Sequence, residues 1–185
     1  MLQTKYISKQ DAIASYDYVE ISEGIGYITF YGLVTANVST TYFNLTRNVI
    51  ASNGLKTVRY LGSNQTNNLD TGAFNTPKTV SGTLIFSGEI RETSGNHMAL
   101  TVTAQKWDGT TATNISSAVD STASTGTAYG VCMPIPLTET VFKKGEILRI
   151  VVTTTNAAGT YLDCDPTGAN GSAPLKVLVP FKLEL

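Results

Sequence analysis

Apolar and polar residues alternate with a period of two along much of the chain. That is the signature of strands with one face in a core and one outside. In the stretch Val141–Thr155, an apolar lead-in and a Lys143-Lys144-Gly145 turn feed a β-branched run. There Leu148, Ile150 and Val152 fall on one face and Ile147, Arg149, Val151 and Thr153 on the other, and this stretch is expected to be a buried inner strand covered on both faces. The closing stretch, residues 174–185, repeats the device: Leu175, Val177, Val179, Phe181, Leu183 and Leu185 alternate with Lys176, Leu178, Pro180, Lys182 and Glu184. Further strands are expected over 24–34, 41–46, 57–61, 80–92, 97–107, 129–137 and around Tyr161. Pro134 and Pro136, which cannot donate to a ladder, place the 129–137 strand at a sheet edge or end it early.

The turns between these runs set the expected topology. Thr93-Ser94-Gly95-Asn96 lies between two alternating runs and predicts a hairpin joining 80–92 to 97–107. Residues 51–78 carry Asn53-Gly54, Asn67-Asn68 and Asp70-Thr71-Gly72 and read as a loop-rich stretch of the kind that hosts binding specificity. About eight principal strands joined by both tight hairpins and long crossings predict an all-β, antiparallel two-sheet sandwich of the jelly-roll type over 21–185. Residues 1–20 read differently. Ser8 as N-cap and Asp11 in the first turn suggest a short helix or arm, which either closes one end of the sandwich or docks on a neighbouring subunit.

Composition narrows the function classes. The 185 residues suffice for one sizeable core, and the formal net charge is −1 with scattered Lys and Arg, so a nucleic-acid partner is not expected. Ser and Thr make up more than a fifth of the residues and supply polar cover suited to strands. No apolar run approaches the ~20 residues of a spanning helix, and no leader-like segment opens the chain, so neither a membrane nor export is expected. Two cysteines, Cys132 and Cys164, do not make a disulfide framework; free buried thiols are the expectation, with a Cys132–Cys164 bridge as the alternative.

Catalytic and metal motifs are sparse. His97 is the sole histidine and sits beside a turn with no nucleophile elbow in the chain, so an enzyme is not expected. Asp163-Cys164-Asp165-Pro166-Thr167-Gly168 matches the opening of a calcium loop, but the twelfth position is Pro174. Asp163 and Asp165 are the only metal-ligand candidates, and no metal or other cofactor is expected. Nine tyrosines and a single tryptophan exceed what a sandwich core needs, because a buried Tyr must find a partner for its hydroxyl. Tyr6, Tyr16 and Tyr18 on the arm, with Tyr60 and Trp107 on the sandwich, are the binding or interface candidates.

The Phe142-x-x-Gly145-Glu146-x-Leu148-Arg149 pattern within 136–150, together with Leu175–Phe181, resembles the later strands of jelly-roll virion proteins of tailed bacteriophages. It recurs in β-sandwich carbohydrate-binding modules. The virion resemblance implies a capsid decoration or cement protein, a homotrimer that contacts the major capsid protein and is assembled into the virion in the host cytoplasm. The alternative is a carbohydrate- or receptor-binding domain of a fibre or cell-surface assembly, with Tyr60, Trp107 and the 53–70 loops lining a glycan site.

Overall fold

The computed structural model describes residues 25–33, 42–47, 58–60, 66–92, 99–122, 128–155, 160–163 and 175–182. All regular structure among them is β. The strands are β1 (Ile25–Leu33), β2 (Tyr42–Thr46), β3 (Val58–Tyr60), β4 (Thr66–Thr71), β5 (Lys78–Glu92) and β6 (Ala99–Trp107). They continue as β7 (Ala112–Asn114), β8 (Val119–Asp120), β9 (Ala128–Phe142), β10 (Ile147–Thr155), β11 (Thr160–Asp163) and β12 (Lys176–Lys182).

One curled sheet provides both layers of the sandwich. Its order is β3-β11-β5-β12-β1-β2-β4-β10-β6-β7, with β9 paired to β5 and β8 to β6. Strands β9, β5, β12 and β1 form one layer, and β2, β4, β10 and β6 form the other. The alternation expected from sequence places the core between them. Leu148, Ile150 and Val152 of β10 share one core cluster with Leu84, Phe86 and Ile90 of β5 and Val177 and Val179 of β12, all fully buried. Each large side chain so buried stabilises the fold by about 1.5–3 kcal/mol.

The two outer edges of the curled sheet are tied together. Opposite Val80 and Gly82 of β5, the β9 register shifts so that Thr138 and Glu139 leave the ladder, and Gly82 takes φ 112° there. This is the behaviour of a bulge. The Thr138 N–H then donates to the Ile115 carbonyl at 2.7 Å, while the Ile115 N–H donates to Ala104 of β6 at 2.9 Å. Lys106 adds a third link, donating from Nζ to the Val141 carbonyl at 2.8 Å.

Four sequence expectations need correction. Strands β5 and β6 do not form a hairpin: β5 pairs with β9, β12 and β11, and β6 with β10, β7 and β8. Both strands carry an apolar face, and the fold buries those faces against each other across the core instead of setting them side by side in one layer. Strand β4 was read as turns, yet it is central, parallel to β2 and antiparallel to β10. Its Asn and Asp residues are poor strand formers, but Asn67, Leu69 and Thr71 point inward, and the Thr71 hydroxyl accepts the Leu148 N–H at 3.1 Å. The lead-in Val141-Phe142 belongs to β9, which runs on past its two prolines as an edge strand. Finally, Cys132 is a free thiol on the exposed face of β9 and not a buried one. The arm of residues 1–20 with Tyr6, Tyr16 and Tyr18, and His97, Cys164 and Asp165, lie outside the described residues.

Candidate functional site

The outward face of the β2–β4–β10–β6 layer carries a row of polar side chains that the register aligns. Asn44 lies opposite Asp70, Asp70 opposite Arg149, Arg149 opposite Gln105, and Gln105 opposite Asn114. Period-two geometry puts all five on one side of the sheet. Arg149 is the fixed point. Its Nε donates to Asp70 Oδ1 at 2.7 Å and its Nη2 to Oδ2 at 2.8 Å, the bidentate fork of a guanidinium on a carboxylate.

The same guanidinium lies over the indole of Trp107, with Cζ 4.4 Å from the ring centroid. Such a contact is worth about 0.5–2 kcal/mol depending on how dry it is. Arg149 is 7% exposed, so pairing and stacking together meet the cost of holding its charge close to the sheet. The row continues as Gln105 Nε2 donates to Asn114 Oδ1 at 2.8 Å. Farther along the same face, Thr66 and Thr153 hydroxyls are 3.1 Å apart, and Thr101 Oγ1 donates to Asp120 Oδ1 at 2.6 Å. The whole is a field of hydroxyls, amides and one ion pair, bordered by a half-buried aromatic ring.

Two carboxylates fix the end of the face where Trp107 sits. Asp108 Oδ1 accepts the Thr111 N–H at 2.7 Å, the Thr110 N–H at 2.8 Å and the Thr110 hydroxyl at 2.9 Å. Those donors, Thr111 foremost, hold the Asp108 carboxyl below its usual range and set the turn that follows Trp107. For Glu146, burial alone would raise the carboxyl. The Lys106 ammonium at 2.8 Å, the Lys143 N–H at 2.6 Å and the charges of both lysines outweigh it, and the carboxyl lies below its ordinary value.

Of the residues singled out from sequence, the structure places Trp107 in this constellation. Tyr60 ends the short strand β3, which pairs with β11 in the other half of the sheet, and Asp163 ends β11 opposite Val58. Neither β3 nor β11 is among the strands β2, β4, β10 and β6 that carry the row beside Trp107. Among the described residues no cluster of three His, Cys, Asp or Glu side chains could hold a metal ion. Sequence reasoning missed Gln105, Asn114 and the pairing of Asp70 with Arg149 on neighbouring strands. The available signal was an arginine that is the single charged residue of a strand otherwise made of Ile, Leu, Val and Thr, which needs an opposite charge within reach.

No protein-family model and no curated protein matches the chain. Solved structures do. The chain is similar to a CocE/NonD family hydrolase from Staphylococcus aureus, with TM-score 0.65 and 12% identity over 86% of this chain and 37% of that one. It is similar to an alpha-amino acid ester hydrolase, with TM-score 0.60 and 10% identity over 83% and 36% of the two chains. The chain thus spans little more than a third of the length of these hydrolases, and the likeness is one of fold. A carbohydrate-binding module from Cellvibrio mixtus lichenase 5A, in complex with cellotriose, matches at TM-score 0.33 and 12% identity over 72% and 83% of the chains, too low to bear on this chain's ligand. These findings overturn the resemblance to tailed-phage virion proteins, since the fold is shared with parts of hydrolases. The motif Phe142-x-x-Gly145-Glu146-x-Leu148-Arg149 behind that resemblance encodes a β-sandwich corner: Phe142 fills the core, Gly145 takes φ 93°, and Leu148 returns to the core.

Proposed function

We propose that this β-sandwich is a non-catalytic module that binds a neutral saccharide on the outward face of β4, β10 and β6. The supporting observation is the aligned row Asn44, Asp70, Arg149, Gln105 and Asn114 beside Trp107. A sugar presents hydroxyls that both donate and accept, and an apolar C–H face. Amides, a carboxylate and a guanidinium serve the first, and an indole serves the second. The Arg149–Asp70 fork presets the orientation of both charged groups, so little ordering remains to be done on binding. Gln105 and Asn114 stand at the exposed end of the row, and they and the free surface of Trp107 make the direct contacts in this reading.

A panel of immobilised neutral glycans tests it. Saturable binding to a subset is expected, lost in Trp107→Ala and weakened at least about tenfold in Gln105→Ala, which corresponds to about 1.4 kcal/mol. Both variants are expected to keep the wild-type strand signature in circular dichroism. Binding that survives Trp107→Ala intact, or no binding across the panel, would overturn the proposal.

A further inference from the structure

A second place on the molecule is built differently from the saccharide face. At the end of the sandwich where β2 and β4 finish and β5 begins, a cavity of about 550 Å³ opens between the layers. Its floor is apolar: Phe30, Leu45 and Phe181 are at most 5% exposed. Phe74 forms a wall and is pinned in place. Its N–H donates to the Glu146 carbonyl at 3.0 Å, its carbonyl accepts the Gly145 N–H at 2.9 Å, and its ring meets Phe142 and Phe181 edge-on at 5.2 and 5.9 Å. The rim is polar and cationic, carrying Arg47 and Lys78 with Asn75 and Thr76.

The charge balance at this end favours an anion. Among the described residues neither Arg47 nor Lys78 has an ion-pair partner. The carboxylates nearby are already engaged: Glu146 with Lys106, and Glu139 with Lys182 at 3.1 Å. Exposed Lys143 and Lys144 lie in the turn that clamps Phe74 and add to the positive field. The volume falls within the range of small-ligand sites, about 300–1,000 Å³. Such a floor leaves sugar hydroxyls without partners, whereas it accepts an apolar body at no polar cost.

We infer that this cavity binds a small organic acid with an apolar body, the body against Phe74 and Phe181 and the carboxylate on the rim between Arg47 and Lys78. The site is separate from the outward face of β4, β10 and β6 and does not depend on saccharide binding there.

Isothermal titration of the full chain with phenylacetate tests the inference, with phenylacetamide as its uncharged counterpart. Saturable phenylacetate binding is expected, at least about tenfold tighter than the amide, weakened by added salt and abolished in the double variant Arg47→Gln/Lys78→Gln. Both replaced side chains are exposed, so the variant is expected to unfold at the wild-type temperature, and a Phe74→Leu variant is expected to bind more weakly. Lack of saturation up to about 10 mM, equal affinity for acid and amide, or unchanged binding in the double variant would each overturn it. Trp107→Ala, which damages only the saccharide face, is expected to leave phenylacetate binding unchanged, so the two sites fail or succeed separately.

Discussion

Replacing Asp70 by Asn removes one charge from the bidentate pair and leaves the guanidinium of Arg149 in place on a nearly buried site. The side chains of Arg149 and Asp70 are 9% and 16% exposed, so the pair stands close to the buried limit, where breaking one partner costs about 3–5 kcal/mol. The remaining exposure and the stacking on Trp107 reduce this, and a loss of about 2–3 kcal/mol is expected. For a domain of this size that lowers Tm by about 4–12 °C. Arg149→Met keeps the aliphatic contact with Trp107 and leaves Asp70 able to take up water, so it is expected to cost about 1–2 kcal/mol. In the double variant neither charge is stranded. Its expected cost is also about 1–2 kcal/mol, a coupling energy of at least about 1 kcal/mol in a double-mutant cycle. Urea unfolding of the four proteins, followed by circular dichroism, measures it. Losses that add to within about 0.5 kcal/mol would refute the idea that the pair organises the outward face.

Other outcomes follow from the same geometry. Gly145→Ala meets no atom within 4 Å but must hold φ +93°, so it is expected to cost about 1–2 kcal/mol in urea unfolding, whereas Gly109→Ala, at φ +103° in the turn after Trp107, is expected to disturb the tryptophan fluorescence as well. Gly88→Ala would bring its Cβ to 3.3 Å from the Leu175 backbone, and a loss of about 1–3 kcal/mol is expected because β12 must shift. Phe142→Ala empties a fully buried site against Phe74 and is expected to cost about 3–5 kcal/mol. The Glu146 carboxyl is lowered in the fold, so the unfolded chain binds the proton more tightly. Its stabilising contribution is complete above the ordinary value of 4.5 and is lost as the pH falls from there through the lowered value. A Glu146→Gln variant is expected to show a shallower loss of stability over that acid range.

What was legible in the sequence was facing, and what was not was pairing. The two faces of β10 and β12 could be separated residue by residue by their period of two, but the expectation that β10 is covered on both faces failed, because Leu148, Ile150 and Val152 fill the core while Ile147, Val151 and Thr153 stay half-buried on the outward side. Partner choice is different. The Thr93-Ser94-Gly95-Asn96 turn signal is local, whereas the opposition of β5 and β6 across the core is set by where the remaining strands lie. Strand β4 was hidden because Asn67, Asn68 and Asp70 are turn formers in isolation; in place, Asp70 answers the charge of Arg149 and Thr71 serves the Leu148 N–H. Because residues up to Asp70 read as loop, Trp107 is grouped from sequence with Tyr60 and the 53–70 loops, and the row that runs through Arg149, Gln105 and Asn114 is not visible. The proline pair at 134 and 136 did mark an edge, but a bulge at Thr138 rather than a strand end followed it.

The most direct test of the saccharide reading is an NMR titration of the isotopically labelled chain with neutral oligosaccharides. It would follow the indole N–H of Trp107 and the side-chain amides of Asn44, Gln105 and Asn114. The account expects saturable shifts at Trp107, Gln105 and Asn114 and none at Asn75 on the cavity rim. Shifts centred elsewhere, or no shifts with any oligosaccharide that the chain retains on a column, would contradict it.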